Sequence, residues 1–229
     1  MLNLFEIKKL SKNIGIAALN IIRENIEIEI LDSLSKSELS DRIIFYGGTA
    51  IRLAYSGPRF SEDLDFIFER QYKKDAQELE NILKNVSRNN EGIIIEEVLE
   101  KRNTLFGLIH ISNSLLKHSI RIKIEISKKL HEQKSEYLML SSPCSILNPI
   151  VKTSTLKSLI HNKLLAIKHR NEPRDWFDLW FMSKKTNSIH KPGRSFPFNK
   201  KEFENELKRW LPKSFWRIIP GVIICYEKD

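Results

Sequence analysis

The segment "FYGGTAIRLAYSGPRFSEDLDFIF" (residues 45–68) constrains the fold of this 229-residue chain more than any other stretch of the sequence. The apolar run "IIFY" ends there in a glycine pair, Gly47 and Gly48, and this pattern predicts a buried strand that enters a tight turn. The letters "TAIRLAY" then predict the first turns of a helix, and "LDFIF" (64–68) predicts a second strand. The segment therefore predicts a strand, a turn, a helix and a second strand in immediate succession.

Two aspartates, Asp63 and Asp65, stand at the start of that second strand. Residues two apart point to the same face of a strand, so these carboxylates project together while Leu64, Phe66 and Phe68 line the other face. Neighbouring carboxylates repel and raise each other's pKa unless a hard cation bridges them. Mg²⁺ prefers oxygen ligands and typically takes one or two carboxylates together with substrate phosphates. The pair therefore predicts a Mg²⁺ (or Mn²⁺) site that receives a nucleoside triphosphate.

The glycine turn is suited to the phosphates of such a ligand. Gly47 and Gly48 carry no side chains, so backbone N–H groups can approach a phosphate where the strand turns into the helix. Thr49 adds a hydroxyl donor near the positive end of the helix dipole. Ser61 is interpreted either as a phosphate contact or as a cap of the turn, and Arg59 as a partner for phosphate or carboxylate.

A third carboxylate is expected from the segment "SIRIKIEIS", which alternates strictly between isoleucine and polar residues. This alternation predicts a strand with one buried face and one polar face that carries Arg121, Lys123 and Glu125. The polar face is compatible with plain exposure to solvent. If this strand lies beside the one that carries Asp63 and Asp65, Glu125 completes a set of three acids.

The rest of the sequence predicts an α+β protein, a mixed sheet flanked by helices, with a helical C-terminal lobe. Helical spacing of apolar residues predicts one or two helices in residues 3–34 and another at 73–86. Three strand patterns follow, "GIIIEEVLE", "LFGLIHIS" and "SIRIKIEIS". Helical patterns then cover residues 155–170, 173–185 and 200–211.

Prolines 143 and 149 mark a change in composition near residue 145. We therefore expect a core domain with N-terminal helices over residues 1–145, and a helical lobe over residues 146–229 that completes the active-site cleft.

Composition indicates the kind of partner and the compartment. The formal charge of +9 favours polyanionic partners such as nucleic acid or nucleotides, although a lysine-rich proteome would give the same value. Cys144 and Cys225 match no disulfide or metal-binding spacing, which favours a reducing compartment. The sequence shows neither a signal peptide nor an apolar run of the ~18 residues that a membrane span needs. We expect a cytoplasmic protein that does not associate with a membrane.

The segment "YGGTAIRLAYSGPRFSEDLDF" resembles the nucleotidyltransferase signature of the AbiEii family, the toxins of type IV toxin–antitoxin systems within the DNA polymerase β-like superfamily. The resemblance implies a nucleotidyltransferase-like sheet in which Asp-x-Asp holds metal and a later strand supplies a third acid. Gly47, Gly48, Asp63 and Asp65 match the signature directly. Glu125 falls at the third position, where it replaces the usual aspartate.

A second segment, "NKLLAIKHRNEPRDWFDLWFM", resembles the C-terminal motif of the same family. The resemblance implies that Lys163 contacts the nucleotide and that Arg174, Asp175 and Asp178 form a second cluster, with Asp178 at the nucleotide. The residues also allow another interpretation, because Asp175 and Asp178 share a helical face and can form salt bridges that pin the C-terminal lobe to the core. The resemblance covers about residues 40–185.

Together these observations predict an enzyme that transfers a nucleoside monophosphate from an NTP to an acceptor. The basic charge and the resemblance indicate the 3′ end of tRNA as the acceptor and a cognate antitoxin as a partner. Two alternatives stay open: an antibiotic-modifying enzyme with a small-molecule acceptor, and a nucleotide-binding module without activity. The expected catalytic residues are Asp63, Asp65 and Glu125, with metal on the two aspartates; the expected nucleotide-binding residues are Gly47, Gly48, Thr49, Ser61, Lys163 and Asp178.

Overall fold

The computed structural model describes residues 2–129 and 133–227. The chain begins with two helices, α1 (Leu4–Ile14) and α2 (Ala18–Ser35). A capping box starts α1: the Asn3 side chain accepts a hydrogen bond from the Glu6 N–H, and the Glu6 carboxylate accepts one from the Asn3 N–H. Within the described residues no helix is both long and apolar enough to cross a membrane.

The described strands form one mixed sheet of seven. Their bounds are β1 (Ile43–Tyr46), β2 (Asp63–Phe68), β3 (Ile93–Glu100), β4 (Thr104–Ile111), β5 (Ile120–Ser127), β6 (Ser135–Met139) and β7 (Ile150–Ser154). Across the sheet their order is β3-β4-β5-β2-β1-β7-β6. The pairs β2–β5 and β1–β7 are parallel and the other pairs are antiparallel. The predicted fold class, a mixed sheet flanked by helices, is confirmed.

One face of the sheet is buried by helices and holds the larger core. The predicted alternation in β2 and β5 is correct: Leu64, Phe66 and Phe68 of β2 and the isoleucines of β5 face this core, and the polar residues point to the opposite face, which Ile67 shares. α2 packs against β5 and β7, and α4 (Asp75–Asn89) packs against β3 and β4. The fully buried side chains in these two strands are Leu64, Phe66, Phe68, Ile122, Ile124 and Ile126.

The C-terminal helices form a second core on the other side of the molecule. Their bounds are α5 (Leu156–His169), α6 (Pro173–Lys185), α7 (Lys200–Trp210), a 3₁₀ helix (Lys213–Ile218) and α8 (Ile219–Glu227). Trp176 and Phe177 of α6 pack there with Phe203 of α7 and Val222 of α8. The helix that follows the glycine turn, α3 (Gly47–Ala54), contributes Ile51 to the same core. A helical C-terminal part therefore packs against the end of the sheet where the glycine turn lies.

Four short elements of the described structure were not predicted from the sequence: β6, β7, the 3₁₀ helix and α8. β7 follows residue 145 but pairs with β1 in the sheet, with Phe45 opposite Thr153. The division of the chain into domains at residue 145 stays a prediction.

Candidate active site

The acidic residues of the predicted site come together through the parallel pairing of β2 and β5. In this register Asp63 lies opposite Lys123 and Asp65 lies opposite Glu125. Because directly paired residues point to the same face, all four side chains share the polar face of the sheet. They line a cleft of about 430 Å³ between the sheet and helices α5 and α6. Glu125 therefore lies in the same cleft as the two aspartates.

The glycine turn forms one wall of this cleft, and neither glycine has room for a side chain. Gly47 has a φ of +83°, a conformation that favours glycine, and a Cβ there would lie 2.5 Å from the Asp65 Oδ2. A Cβ at Gly48 would lie 2.8 Å from the Ser61 Oγ and would also clash with the Arg59 guanidinium. Ser61, like both glycines, lines the cleft. The turn thus brings bare backbone next to the acidic residues.

Thr49 does not line the cleft in the described structure, and the expectation that its hydroxyl binds phosphate stays a prediction. The side chain is 1% exposed, and its Oγ1 donates a hydrogen bond to the Asp63 carbonyl oxygen. The local pattern correctly places Thr49 in the first turn of α3, but the hydroxyl points back toward β2. Its contact instead ties the start of α3 to the start of the acidic strand.

A lysine occupies part of the space between the carboxylates. The Lys123 Nζ lies 3.4 Å from the Asp63 Oδ2 and 3.2 Å from the Glu125 Oε2. Burial opposes the charge of Lys123, but Asp63 and Glu125 outweigh it and raise the pKa of this lysine. In the described part of the chain, no three His, Cys, Asp or Glu side chains are already arranged around one point as a metal site. The positive charge next to Asp63 and Glu125 is therefore an ammonium group in this structure.

The charge of Asp65 is less well compensated. Burial and the neighbouring Asp63 raise the pKa of Asp65 to about 6, even though Lys123 lowers it. Burial also raises the pKa of Asp63, partly offset by Lys123. Among the described residues Asp65 forms no salt bridge within 4.0 Å. Two adjacent carboxylates with raised pKa values attract a further cation, and their oxygen atoms suit Mg²⁺ or Mn²⁺.

Helices α5 and α6 contribute a network of buried ion pairs on the opposite wall. The Lys163 Nζ lies 2.7 Å from the Asp175 Oδ1 and 2.8 Å from the Asp178 Oδ2. Arg59 donates two hydrogen bonds to Asp178, at 2.8 and 2.7 Å, and Arg170 donates two to Asp175, at 2.7 and 3.0 Å. The salt-bridge cluster that the sequence allowed as an alternative is therefore present.

The two aspartates of this network differ in their access to the cleft. Both are buried, at 1% and 2% exposed, but of the two only Asp175 lines the cleft in the described structure, together with Lys163 and Arg170, while Asp178 contacts Arg59 and Lys163. The expectation that Asp178 itself contacts the nucleotide stays a prediction. Burial would raise the pKa of both carboxyls, but the surrounding cations outweigh it and lower the pKa of Asp175 to about 2 and that of Asp178 below its usual value.

For several other residues of the cleft, the sequence predicted no role or no single role. The most informative is Lys123, which the alternation placed only on a polar face. It lies two residues before Glu125, so any pairing that brings Glu125 to the aspartates also brings Lys123. Arg174 forms an ion pair with Glu62 at 2.7 Å on the rim. Tyr46 also lines the cleft, and burial together with Asp65 raises its pKa.

A glycine turn, an acidic strand pair and a facing lysine on a mixed sheet are typical of nucleotidyltransferases. A family model for the nucleotidyl transferase AbiEii toxin of type IV toxin–antitoxin systems matches residues 29–206. The chain therefore belongs to the AbiEii family of nucleotidyltransferase toxins.

Solved structures show the same fold. JHP933 from Helicobacter pylori is 21% identical, with a TM-score of 0.56 over 93% of this chain and 81% of that protein. MenT4, a nucleotidyltransferase toxin from Mycobacterium tuberculosis H37Rv, is 14% identical, with a TM-score of 0.60 over 99% of this chain and 89% of that protein. No curated protein sequence matches the chain significantly. These similarities support the fold, and the roles of individual residues are inferred from the cleft itself.

Proposed function

We propose that this enzyme transfers a nucleoside monophosphate from an NTP to an RNA acceptor, the 3′ end of a tRNA, and so acts as a toxin. The observation that carries the proposal is that Asp63, Asp65 and Glu125 line one cleft beside the glycine turn. The net charge of +9 supports a polyanionic acceptor over a small, neutral or cationic one.

In the proposed complex the triphosphate lies between the two walls of the cleft. Gly47 and Gly48 offer backbone N–H groups, and Ser61 offers a hydroxyl, on the side of the sheet. Lys163 offers positive charge from α5, held in place by Asp175 and Asp178. Asp178 acts as a positioning residue because its contacts fix Arg59 and Lys163.

Asp63 and Asp65 would hold a divalent cation, which would neutralise charge on the triphosphate and the departing pyrophosphate. The cation and Lys123 compete for Asp63, so we propose that Lys123 swings aside. Its ion pairs are about one-third exposed, and such pairs contribute only about 1 kcal/mol or less. Moving Lys123 therefore costs little free energy compared with the free energy released when the metal–nucleotide complex binds.

Glu125 is the proposed general base. Its carboxylate accepts the proton of the acceptor hydroxyl, and the hydroxyl oxygen forms a bond to the α-phosphorus of the NTP. The bond between the α-phosphorus and the oxygen that bridges to the β-phosphate breaks, and pyrophosphate leaves with that oxygen. The products are the nucleotidylated acceptor and pyrophosphate.

The test is transfer from each of four labelled NTPs to total tRNA, with and without Mg²⁺. Wild-type protein should label RNA only in the presence of the cation. Asp65→Asn should lower labelling by at least about a hundredfold while the variant keeps its folding stability. Asp32→Asn is the matched control, because among the described residues the Asp32 side chain forms an ion pair with Lys36 alone, within four residues of the same chain segment.

Three other results of this assay would lead to different conclusions. Undiminished labelling by Asp65→Asn would contradict the assignment of the acidic pair. Labelling of a small molecule instead of RNA would support the antibiotic-modifying alternative. Binding of NTP without transfer to any acceptor would support the module without activity.

A further inference from the structure

A second cavity adjoins the active-site cleft at the end of the sheet where β2 and β5 begin and β4 ends. It measures about 490 Å³ and shares Glu62 and Asp63 with the cleft. Its other walls come from α2, β4 and the residues that lead into β5. These walls contribute Arg23, His110, Ser119, Ile120 and Arg121.

Arg23 is the unusual residue of this cavity. It is 7% exposed, and in the part of the chain that the structure describes its Nε and Nη1 have no hydrogen-bond partner. Its guanidinium lies over the ring of Trp210, 5.8 Å from the ring centroid, which supplies packing but no acceptor atom. Buried N–H donors that lack an acceptor are unfavourable, and more so when the group is charged. Such an arrangement is expected where a ligand supplies the missing acceptors.

The acidic neighbours of Arg23 do not fill this role. Glu24 accepts hydrogen bonds from Arg52 at 2.8 and 3.1 Å. Burial raises the pKa of Glu27, one turn further along α2, and the charge of Arg23 partly offsets this. Among the described residues, however, Glu27 forms no salt bridge with Arg23 within 4.0 Å, and its own Oε1 lacks a hydrogen-bond partner. Of the two acids in the cavity wall, Glu62 pairs with Arg174 at 2.7 Å and Asp63 with Lys123 at 3.4 Å. The Arg23 Nε and Nη1 therefore have no hydrogen-bond acceptor among these acids.

The strands connect this cavity to the proposed base. His110 on β4 lies directly opposite Arg121 on β5, so both side chains point to the polar face. Arg121, Lys123 and Glu125 then follow one another along that face at intervals of about 7 Å. A line of cationic side chains thus leads from the cavity to Glu125.

We propose that this cavity binds a phosphate group of the RNA acceptor, with Arg23 as the buried contact and Arg121 and His110 at its mouth. A phosphate held there places the adjoining nucleotide along β5, where its hydroxyl can reach Glu125. The identity of the acceptor rests on the proposed function, whereas the anion site rests on the geometry of Arg23.

The test is the binding of a short single-stranded RNA, measured by fluorescence anisotropy without NTP over a range of salt concentrations. Arg23→Gln should weaken binding about tenfold or more and make the slope of log K against log salt shallower by about 0.7, the change expected when one phosphate contact is lost. Affinity for the NTP with Mg²⁺ should stay within about twofold. Arg102→Gln is the matched control, because Arg102 lies in the turn between β3 and β4, about 25 Å along β4 from His110.

Because Arg23 is buried, its replacement can also affect folding, and circular dichroism will detect this. Arg121→Gln is the second variant. The Arg121 side chain is 65% exposed, and its ion pair with Glu96 at 2.9 Å is a surface pair that contributes about 1 kcal/mol or less, so the fold should tolerate the change. It should weaken RNA binding several-fold, again with a shallower salt slope. Arg23→Lys, which keeps the charge, should bind RNA more tightly than Arg23→Gln.

Unchanged RNA affinity and salt slope in folded Arg23 and Arg121 variants, relative to Arg102→Gln, would overturn the proposal. A loss confined to NTP affinity would also overturn it, because the cavity would then belong to the triphosphate. The binding assay separates this inference from the proposed function. RNA binding that depends on Arg23 in a protein that transfers nothing to RNA would leave the anion site standing and remove the function. Transfer to RNA with an unchanged KM for RNA in Arg23→Gln would support the proposed function and remove the anion site.

Discussion

At the scale of single residues, Gly47 lies so close to Asp65 that position 47 has no room for a side chain. Gly47→Ala should reduce nucleotidyl transfer strongly, by about a hundredfold, because its Cβ would displace a proposed metal ligand from 2.5 Å away. A left-handed φ adds strain of about 1 kcal/mol for alanine. The measurement is transfer of labelled NTP to RNA, alongside thermal unfolding to show that the variant folds.

Gly193→Ala separates strain from crowding. Gly193 also has a positive φ, +71°, but a Cβ there would meet nothing within 4 Å. This control should lose a similar amount of stability to backbone strain and keep full activity. Equal activity losses in both variants, or full activity in Gly47→Ala, would contradict the proposed role of the turn.

The sequence predicted which acids meet, but not how every side chain in the cleft points. Period-two spacing was sufficient to put Asp63 and Asp65 on one face, and the polar alternation of β5 offered Glu125. The hydroxyl of Thr49 turns away from the cleft because the Asp63 carbonyl accepts its hydrogen bond, and that contact spans fourteen residues. Similarly, the position of Lys123 between two carboxylates depends on the register of β2 against β5, which local patterns do not contain.

At the scale of secondary-structure elements, the junction of α5 and α6 is held by charge. Asp175, 1% exposed, accepts hydrogen bonds from Lys163 and Arg170 across this junction. Its pKa of about 2 in the folded protein lies below the usual value, so the folded state binds a proton less readily than the unfolded chain does. The resulting stabilisation, on the order of 2 kcal/mol, is present above about pH 4 and is lost as the pH falls toward 2.

Asp175→Asn should therefore be less stable than wild type by about 2 kcal/mol or more at pH 7, and the difference should narrow as the pH falls below about 4. Urea unfolding at a series of pH values measures this directly. Asp32→Asn provides the control, since a surface pair on one helix should change stability by about 0.5 kcal/mol or less. A difference between wild type and Asp175→Asn that stays constant down to pH 2 would show that the carboxylate charge is not what stabilises the junction.

The elements differ in how far the sequence could predict them. Helices α4 to α7 and strands β1 to β5 have strong periodic patterns, and all were predicted close to their observed bounds. β6, "SEYLM", lies at the edge of the sheet with mostly exposed residues, so it lacks an apolar alternation. β7 pairs with β6 over five registered residue pairs and with β1 at one, Phe45 opposite Thr153, and local sequence patterns contain neither pairing.

At the scale of the whole molecule, the cleft lies where two cores meet. The sheet supplies Asp63, Asp65 and Glu125, and the helices supply Lys163 and Asp175. Arg59 spans the gap, since it follows α3 in sequence and hydrogen bonds to Asp178 of α6. The proposed catalytic geometry therefore depends on the relative position of both parts, and the buried ion pairs of Arg59 and Lys163 connect them.

The toxin function belongs to this scale, because it depends on the assembled cleft and on a cellular acceptor. Expression of the wild-type chain in a bacterial host should arrest growth, and Asp65→Asn should abolish the arrest. Asparagine keeps the shape of the side chain but removes a negative charge that a bound cation requires, so the change should affect activity more than stability. The measurement is growth after induction, with protein levels compared by immunoblotting and RNA extracted to detect added nucleotides.

Asp32→Asn should arrest growth as wild type does. Arrest that persists with Asp65→Asn at equal protein levels would show that toxicity does not come from nucleotidyl transfer, whereas loss of arrest together with loss of RNA modification would connect the cleft to the effect on the cell.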